Sequence, residues 1–223
     1  MTNLVVVRPE PGLSATVARA RAAGREAIAM PLFAVAPVPW TCPSSTRIDA
    51  ILVTSANAMR HGGIGLATLR DRPVVAVGEA SAVAARSAGF EVAVVGTHDA
   101  ASAVALARTR GFDRLLHLAG RDRVDLPGVD AIIVYASDAI DIDAEATARF
   151  VDRTVLLHSP RAARHVTALV DRDGLDRRRI GIAALSGAVA AAAGARWRAV
   201  HVAATPDDDA LIAAVIATGS ARD

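Results

Sequence analysis

Lysine is missing from this chain: all 25 of its Lys+Arg residues are arginine. That excludes a Schiff-base lysine, a pyridoxal-phosphate anchor and a P-loop lysine. Cysteine is nearly missing too. The lone Cys42 rules out an intrachain disulfide framework and fits a reducing compartment. Aromatic residues make up 3%, too few for a base-stacking surface, and the arginines are scattered around a net charge of only +2, so nucleic acid is not an expected partner. No apolar run approaches the roughly 18 residues of a membrane span. Met1 leads directly into an apolar strand at Leu4–Val7, so no secretory signal is expected. These absences together suggest a cytoplasmic location.

What is present is a repeat. Ile51-Leu52-Val53-Thr54-Ser55-Ala56-Asn57-Ala58 is echoed by Val155-Leu156-Leu157-His158-Ser159-Pro160-Arg161-Ala162. Each copy is followed by a second apolar strand that breaks at a small polar turn and enters an Ala-rich helix. The first is Val74-Val75-Ala76-Val77-Gly78-Glu79-Ala80-Ser81, and the second is Ile182-Ala183-Ala184-Leu185-Ser186-Gly187-Ala188-Val189. Such junctions predict two similar α/β lobes with helix N-termini at the carboxyl ends of their strands. Open α/β sheets bind ligands there, and the dipole and free N–H groups favour anions.

The remaining pattern gives the organisation. Strand and helix alternate from residue 47 to 130, which predicts a parallel sheet with right-handed crossovers. The stretch Ala34–Ser45 carries three prolines (Pro37, Pro39, Pro43) and cannot lie inside a central sheet. It reads as a linker, with the apolar segment from Ala131 as a return linker beside it. The N-terminal piece has too few strands to close a domain, and the C-terminal piece lacks a starting pair. The economical arrangement joins residues 1–33 and 144–223 in one discontinuous lobe, with 34–46 and 131–143 as linker strands and 47–130 as an inserted lobe. The expected fold is thus α/β: two similar three-layer parallel-sheet lobes joined by a two-strand linker.

Catalytic signatures are scarce. G-x-G-x-x-G, Walker and G-x-S-x-G sequences are all absent, which disfavours a nucleotide-dependent transferase or a serine hydrolase. Gly62-Gly63-Ile64-Gly65 follows a helix and reads as its ending loop. The six histidines are dispersed without metal-ligand spacing, and no metal or cofactor is expected. Asp207-Asp208-Asp209 has the look of a metal cluster but follows Pro206 at a helix start, where acids favour the dipole; it reads as capping.

At this point the residues resemble the uroporphyrinogen-III synthase family. The resemblance rests on Val6-Val7-Arg8-Pro9-Glu10-Pro11-Gly12, Thr54-Ser55-Ala56-Asn57-Ala58, Val77-Gly78-Glu79-Ala80-Ser81-Ala82, Val134-Tyr135 and Ser159-Pro160, in that order, over nearly the whole chain. Three positions depart from the family pattern: His158 stands for the usual threonine, Ala136-Ser137 for Arg/Gln-Thr, and Ser186-Gly187-Ala188-Val189 lacks a hydroxyl pair.

The resemblance implies a HemD-like architecture of two flavodoxin-like halves and a cofactor-free lyase of tetrapyrrole biosynthesis. Its substrate would be hydroxymethylbilane, a linear tetrapyrrole polycarboxylate, cyclised with inversion of the terminal pyrrole ring and loss of water. The carboxylates would be gripped largely by backbone N–H groups. The implied partners are this small molecule and a transient contact with the upstream enzyme, with no membrane, and the chain is expected to be a monomer. The rival reading is a non-catalytic two-lobed small-molecule binding or regulatory module.

The implied general acid is Tyr135, the chain's only tyrosine; a strand-end tyrosine is also an ordinary packing residue. The implied substrate contacts are Arg8, Thr54, Ser55, Ala56, Asn57, Gly78, Glu79, Ser81, Gly120, Arg121, Ser159, Pro160 and Ser186. Several have a plainer role. Ser55, Ser159 and Ser186 suit helix N-caps, Pro160 a first helical position, Gly78 a tight turn, and Arg8 an ion pair with Glu10 or another acid.

Overall fold

The computed structural model describes residues 3–43, 47–97 and 99–219. Of the segments named above, residues 1–2, 44–46, 98 and 220–223 lie outside the described residues.

The chain runs β1 (Leu4–Val6), α1 (Gly12–Ala22), β2 (Ala27–Ala29), β3 (Phe33–Pro37), β4 (Ala50–Val53), α2 (Ala56–His61), β5 (Val74–Ala76) and α3 (Glu79–Ser87). It continues through β6 (Val92–Val95), α4 (Ala100–Thr109), β7 (Leu115–Gly120), β8 (Asp130–Ala139), α5 (Ala144–Ala148), β9 (Thr154–Leu157) and α6 (Pro160–Arg172). The last elements are β10 (Gly181–Ala184), α7 (Gly187–Ala193), β11 (Ala199–Val202) and α8 (Asp208–Gly219). The chain forms two compact units: Met1–Ala34 with Ala139–Asp223, and Val35–Asp138.

In the first unit a five-stranded sheet has the order β11-β10-β9-β1-β2, with every described pairing parallel. Strand β1 is supplied by the N-terminal segment, yet it lies between β2 and β9, so the sheet is complete only when both chain segments are present. Successive side chains of a strand point to opposite faces, and here they feed two cores. Val5, Val155, Leu157 and Ile182 pack with Val166 and Val170 of α6 on one face. Leu4, Val6 and Leu156 pack with Val17 of α1 and Leu211 and Val215 of α8 on the other. Both faces are covered, which is why these strands read as unbroken apolar runs.

The second unit holds a six-stranded sheet of order β3-β8-β7-β4-β5-β6. From β8 to β6 the pairings are parallel. Ile51, Val53 and Leu118 face Met59 and Ala82 on one side, while Ala50, Leu52 and Val94 face Val104 on the other. The expected α/β class with parallel sheets is what the molecule adopts.

The proline-rich stretch contributes the edge strand β3, where a missing N–H costs no ladder bond. The bonds Val38 N–H to Val134 C=O (3.0 Å) and Ile140 N–H to Leu32 C=O (2.9 Å) run in opposing register, so β3 is antiparallel to β8. Strand β8 also pairs with β7, so the return segment is a member of the second sheet as well as a crossing. Residues Gly63–Leu69, around the Gly-rich sequence after α2, form a 3-10 helix rather than a loop.

Among the described residues no helix is long and apolar enough to cross a membrane.

Candidate functional site

In the second unit the expected site residues follow sheet order along the carboxyl ends of the strands. Tyr135 belongs to β8, Gly120 ends β7, Thr54 follows β4 and Gly78 follows β5. Thr54, Gly78, Glu79, Ala80 and Ser81, with Thr97 beyond β6, line a hollow of about 620 Å³. The N-terminus of α3 opens into it.

That N-terminus has no side-chain cap, a feature it shares with α1. Gly78 is its N-cap residue and makes no capping bond. By contrast α2, α4 and α6 are capped by Ser55, Asp99 and Ser159. The Ser81 N–H closes back on the Gly78 carbonyl at 3.1 Å, which leaves the N–H groups of Glu79 and Ala80 at the helix start to water or to an anion. The tight-turn explanation for Gly78 finds no support. Its φ of −160° is extended backbone open to any residue, and a Cβ added there would meet nothing within 4 Å. Glu79, in the first turn, is held by Arg86 at 2.9 Å. Ser81 is 5% exposed.

Tyr135 sits against Gly120, its register partner across the β7–β8 ladder. A Cβ on Gly120 would lie 2.7 Å from the Tyr135 Cζ and 2.8 Å from its hydroxyl oxygen, so only glycine lets the ring occupy this place. The following Arg121 donates its N–H to the Tyr135 carbonyl at 3.0 Å, and its side chain pairs with Asp138 at 2.8 Å on the surface. The ring is half-buried against the second unit's core, level with the end of β7.

Thr54 reveals a residue the motif reading missed. Its hydroxyl lies 2.9 Å from His117 Nε2. His117 is 3% exposed, inside strand β7. Burial, assisted by the charge of Arg123, pushes its pKa down to about 4, so the ring is neutral at pH 7. The signal in the sequence is a histidine interrupting the apolar run Leu115-Leu116-His117-Leu118; its partner, 63 positions away, has no local mark. Beside it, Asn57 donates its N–H to Ser55 Oγ at 3.2 Å, so Ser55 and Asn57 close the first turn of α2 on themselves. Helix α2 spans only six residues, and its dipole is correspondingly slight.

In the first unit Ser159 caps α6 through the N–H of Ala162 at 3.1 Å, with Pro160 at the first helical position. Ser186 caps α7 through Val189 at 3.4 Å. Arg8 does not pair with Glu10, which instead accepts from Ser14 Oγ at 2.6 Å. Arg8 Nη1 meets Asp208 Oδ1 at 3.1 Å, within the same unit. Asp208 also accepts from Thr16 Oγ1 at 2.7 Å, Arg19 Nη1 at 3.0 Å and His158 Nε2 at 3.0 Å. Burial alone would raise its carboxyl. The hydrogen bonds from His158 and Thr16 and the Arg8 charge outweigh that and hold it well below the usual carboxylate range.

Of the three consecutive acids, capping falls to Asp207, whose Oδ1 accepts from the Ala210 N–H at 2.8 Å. Asp208 is instead the centre of a four-element cluster, a role sequence proximity could not reveal because Arg8 lies 200 positions away. Among the described residues no group of three His, Cys, Asp or Glu side chains could hold a metal.

A family model described as "Uroporphyrinogen-III synthase HemD" matches residues 14–213. No curated protein matches the sequence. The uroporphyrinogen-III synthetase from Helicobacter pylori 26695 is 14% identical, with 98% of this chain and 100% of that chain covered at a TM-score of 0.69. A mutant uroporphyrinogen III synthase from the extremely thermophilic bacterium Thermus thermophilus is 16% identical, with 99% and 98% covered at a TM-score of 0.54. At such identities the structures speak for a shared fold, whereas the family match rests on this sequence itself and runs through both units. The chain belongs to the uroporphyrinogen-III synthase HemD family.

Proposed function

We propose that this chain is a uroporphyrinogen-III synthase, a cyclising hydro-lyase that closes hydroxymethylbilane with inversion of the terminal pyrrole ring. The observation that carries the reading is the family match over residues 14–213. We infer further that it works without a cofactor, as a cytoplasmic monomer; the single cysteine, Cys42, fits a reducing compartment.

The chemistry asks mainly for positioning. Hydroxymethylbilane closes unaided to the symmetrical isomer, so the enzyme must hold the chain in the geometry that leads through a spiro intermediate. The leaving hydroxyl takes up a proton and departs as water. A pyrrole carbon gives up its proton when the macrocycle closes, which balances the reaction.

The bare N-terminus of α3 suits a substrate carboxylate, since Gly78 adds no competing side chain. One helix terminus is worth only about 0.3–1 kcal/mol to an exposed anion. Several contacts must therefore share the substrate's carboxylates, and Thr54, Ser55, Ala56, Asn57, Glu79 and Ser81 are the proposed neighbours in the second unit. Arg8, Ser159, Pro160 and Ser186 are proposed for the first. Tyr135, with Gly120 and Arg121 beside it, is the proposed general acid toward the leaving hydroxyl.

The deciding experiment supplies freshly generated hydroxymethylbilane and separates the product isomers by chromatography. The asymmetric macrocycle, formed faster than the spontaneous reaction, is the expected result. Only the symmetrical macrocycle at the uncatalysed rate would overturn the assignment.

A further inference from the structure

One polar side chain interrupts the apolar run of strand β7. Its leucines divide by alternation: Leu116 and Leu118 face the core that holds Met59, and Leu115 faces the core that holds Val104. His117 therefore points to the same side as Leu115, across the ladder from Leu52. Leucine would fill that place at less cost, because a buried imidazole must recover the hydrogen bonds it gives up in water.

What His117 meets there is Thr54. Thr54 lies two residues beyond Leu52, just past the end of β4, and is only partly buried. It lines the hollow of the second unit with Gly78 and Ser81. His117 is not part of that lining and, at 3% exposed, is closed to a ligand. It reaches the hollow through the Thr54 hydroxyl, 2.9 Å from its Nε2.

A threonine hydroxyl carries one proton and two lone pairs, and it rotates unless a neighbour sets it. The His117 ring, kept neutral by burial, offers one N–H and one bare nitrogen. With Nε2 bare, the Thr54 proton is taken up by the ring and the hydroxyl shows only lone pairs to the hollow. With the hydrogen on Nε2, the ring donates to Oγ1 and the Thr54 proton is free. An ionised carboxylate can only accept, so the second arrangement alone lets Thr54 grip one. A hydroxyl set in advance also loses less freedom when the ligand arrives.

We propose that His117 is a positioning residue: it donates its Nε2–H to Thr54 Oγ1 and so turns the Thr54 hydroxyl proton toward a substrate carboxylate. This role rests on the synthase reading above and adds to it a residue that never touches the substrate.

The tautomer is read at pH 7 on the full chain labelled with nitrogen-15, from long-range correlations between the ring protons and both ring nitrogens. The signal missing from His117→Gln is that of His117. Hydrogen on Nε2 is expected, and hydrogen on Nδ1 overturns the proposal. Initial rates on freshly generated hydroxymethylbilane, corrected for spontaneous closure, give the second readout. His117→Leu should raise KM about three- to tenfold, the size of one lost hydrogen bond, with kcat within about twofold of the parent. In a Thr54→Val background the same change should move KM by less than about twofold, because the hydroxyl it acts through is gone. His117→Gln, which returns an N–H near the place of Nε2, should restore most of the loss. An active parent chain whose KM is unchanged by His117→Leu overturns this role alone. So do equal factors in both backgrounds, or a folded His117→Gln chain as weak as His117→Leu. A parent chain that yields only the symmetrical macrocycle overturns the synthase reading and this role with it.

Discussion

Tyr135 and Gly120 have to be read as a pair, because the ring rests where a Cβ of residue 120 would stand. Tyr135→Phe should slow turnover by about 10²-fold or more, the usual span for a lost general acid, while product affinity stays near its original value; an unaltered rate removes the phenol from the mechanism. Gly120→Ala should act on the same group by displacement. An extra methyl in a packed site costs about 1–3 kcal/mol, readable as a lower urea midpoint, and turnover should fall with it. If Gly120→Ala melts and reacts like the parent chain, the ring is not held as described.

His117 makes stability depend on pH. Folding depresses its pKa from 6.5 to about 4. Between those values the unfolded chain binds more protons than the folded one, so stability is full above about pH 6.5 and falls as the solution is acidified toward 4. The slope for one proton is at most about 1.4 kcal/mol per pH unit. His61, His165 and His201 are shifted the same way by burial. Replacing His117 with Asn should therefore flatten the acid limb without abolishing it, as measured by urea unfolding from pH 7 to 4.5.

Among elements, the cluster around Asp208 ties the start of α8 to α1, to the segment after β1 and to the end of β9. Hydrogen bonds to a charged group contribute about 1.5–3 kcal/mol, so Asp208→Asn should lower unfolding free energy by about that amount. Asp209→Asn, whose acid is 84% exposed, should change it by less than about 0.5 kcal/mol. Equal effects from the two would show that helix-dipole compensation, shared by both, is all that Asp208 provides.

This contrast explains what can be read in advance. Ser55, Ser159 and Ser186 are recognisable as caps because a cap and its helix are contiguous. The strands are recognisable because two covered faces demand unbroken apolar runs. The role of Asp208 depends on Arg8 and His158, brought to it only by folding, and the partnership of Thr54 with His117 crosses two strands. No local pattern encodes such meetings. The antiparallel seating of β3 is hidden for a related reason: proline excludes the interior of a sheet but is silent about its edge.

For the molecule as a whole, the two units differ in how the chain builds them. The second is one continuous segment, Val35–Asp138, with its own cores. Produced alone, it should melt cooperatively by circular dichroism, a gradual featureless melt being the contrary result. The first unit draws β1 and β2 from one part of the sequence and β9 to β11 from another.

During synthesis this order has a cost in time. Leu4, Val5 and Val6 leave the ribosome early, yet β1 cannot gain its partner β9 until more than a hundred further residues have been made, at roughly 5–20 per second. Until then the nascent peptide carries a sticky, half-paired ribbon, and a chaperone or a brisk translation rate has most to protect at that stage.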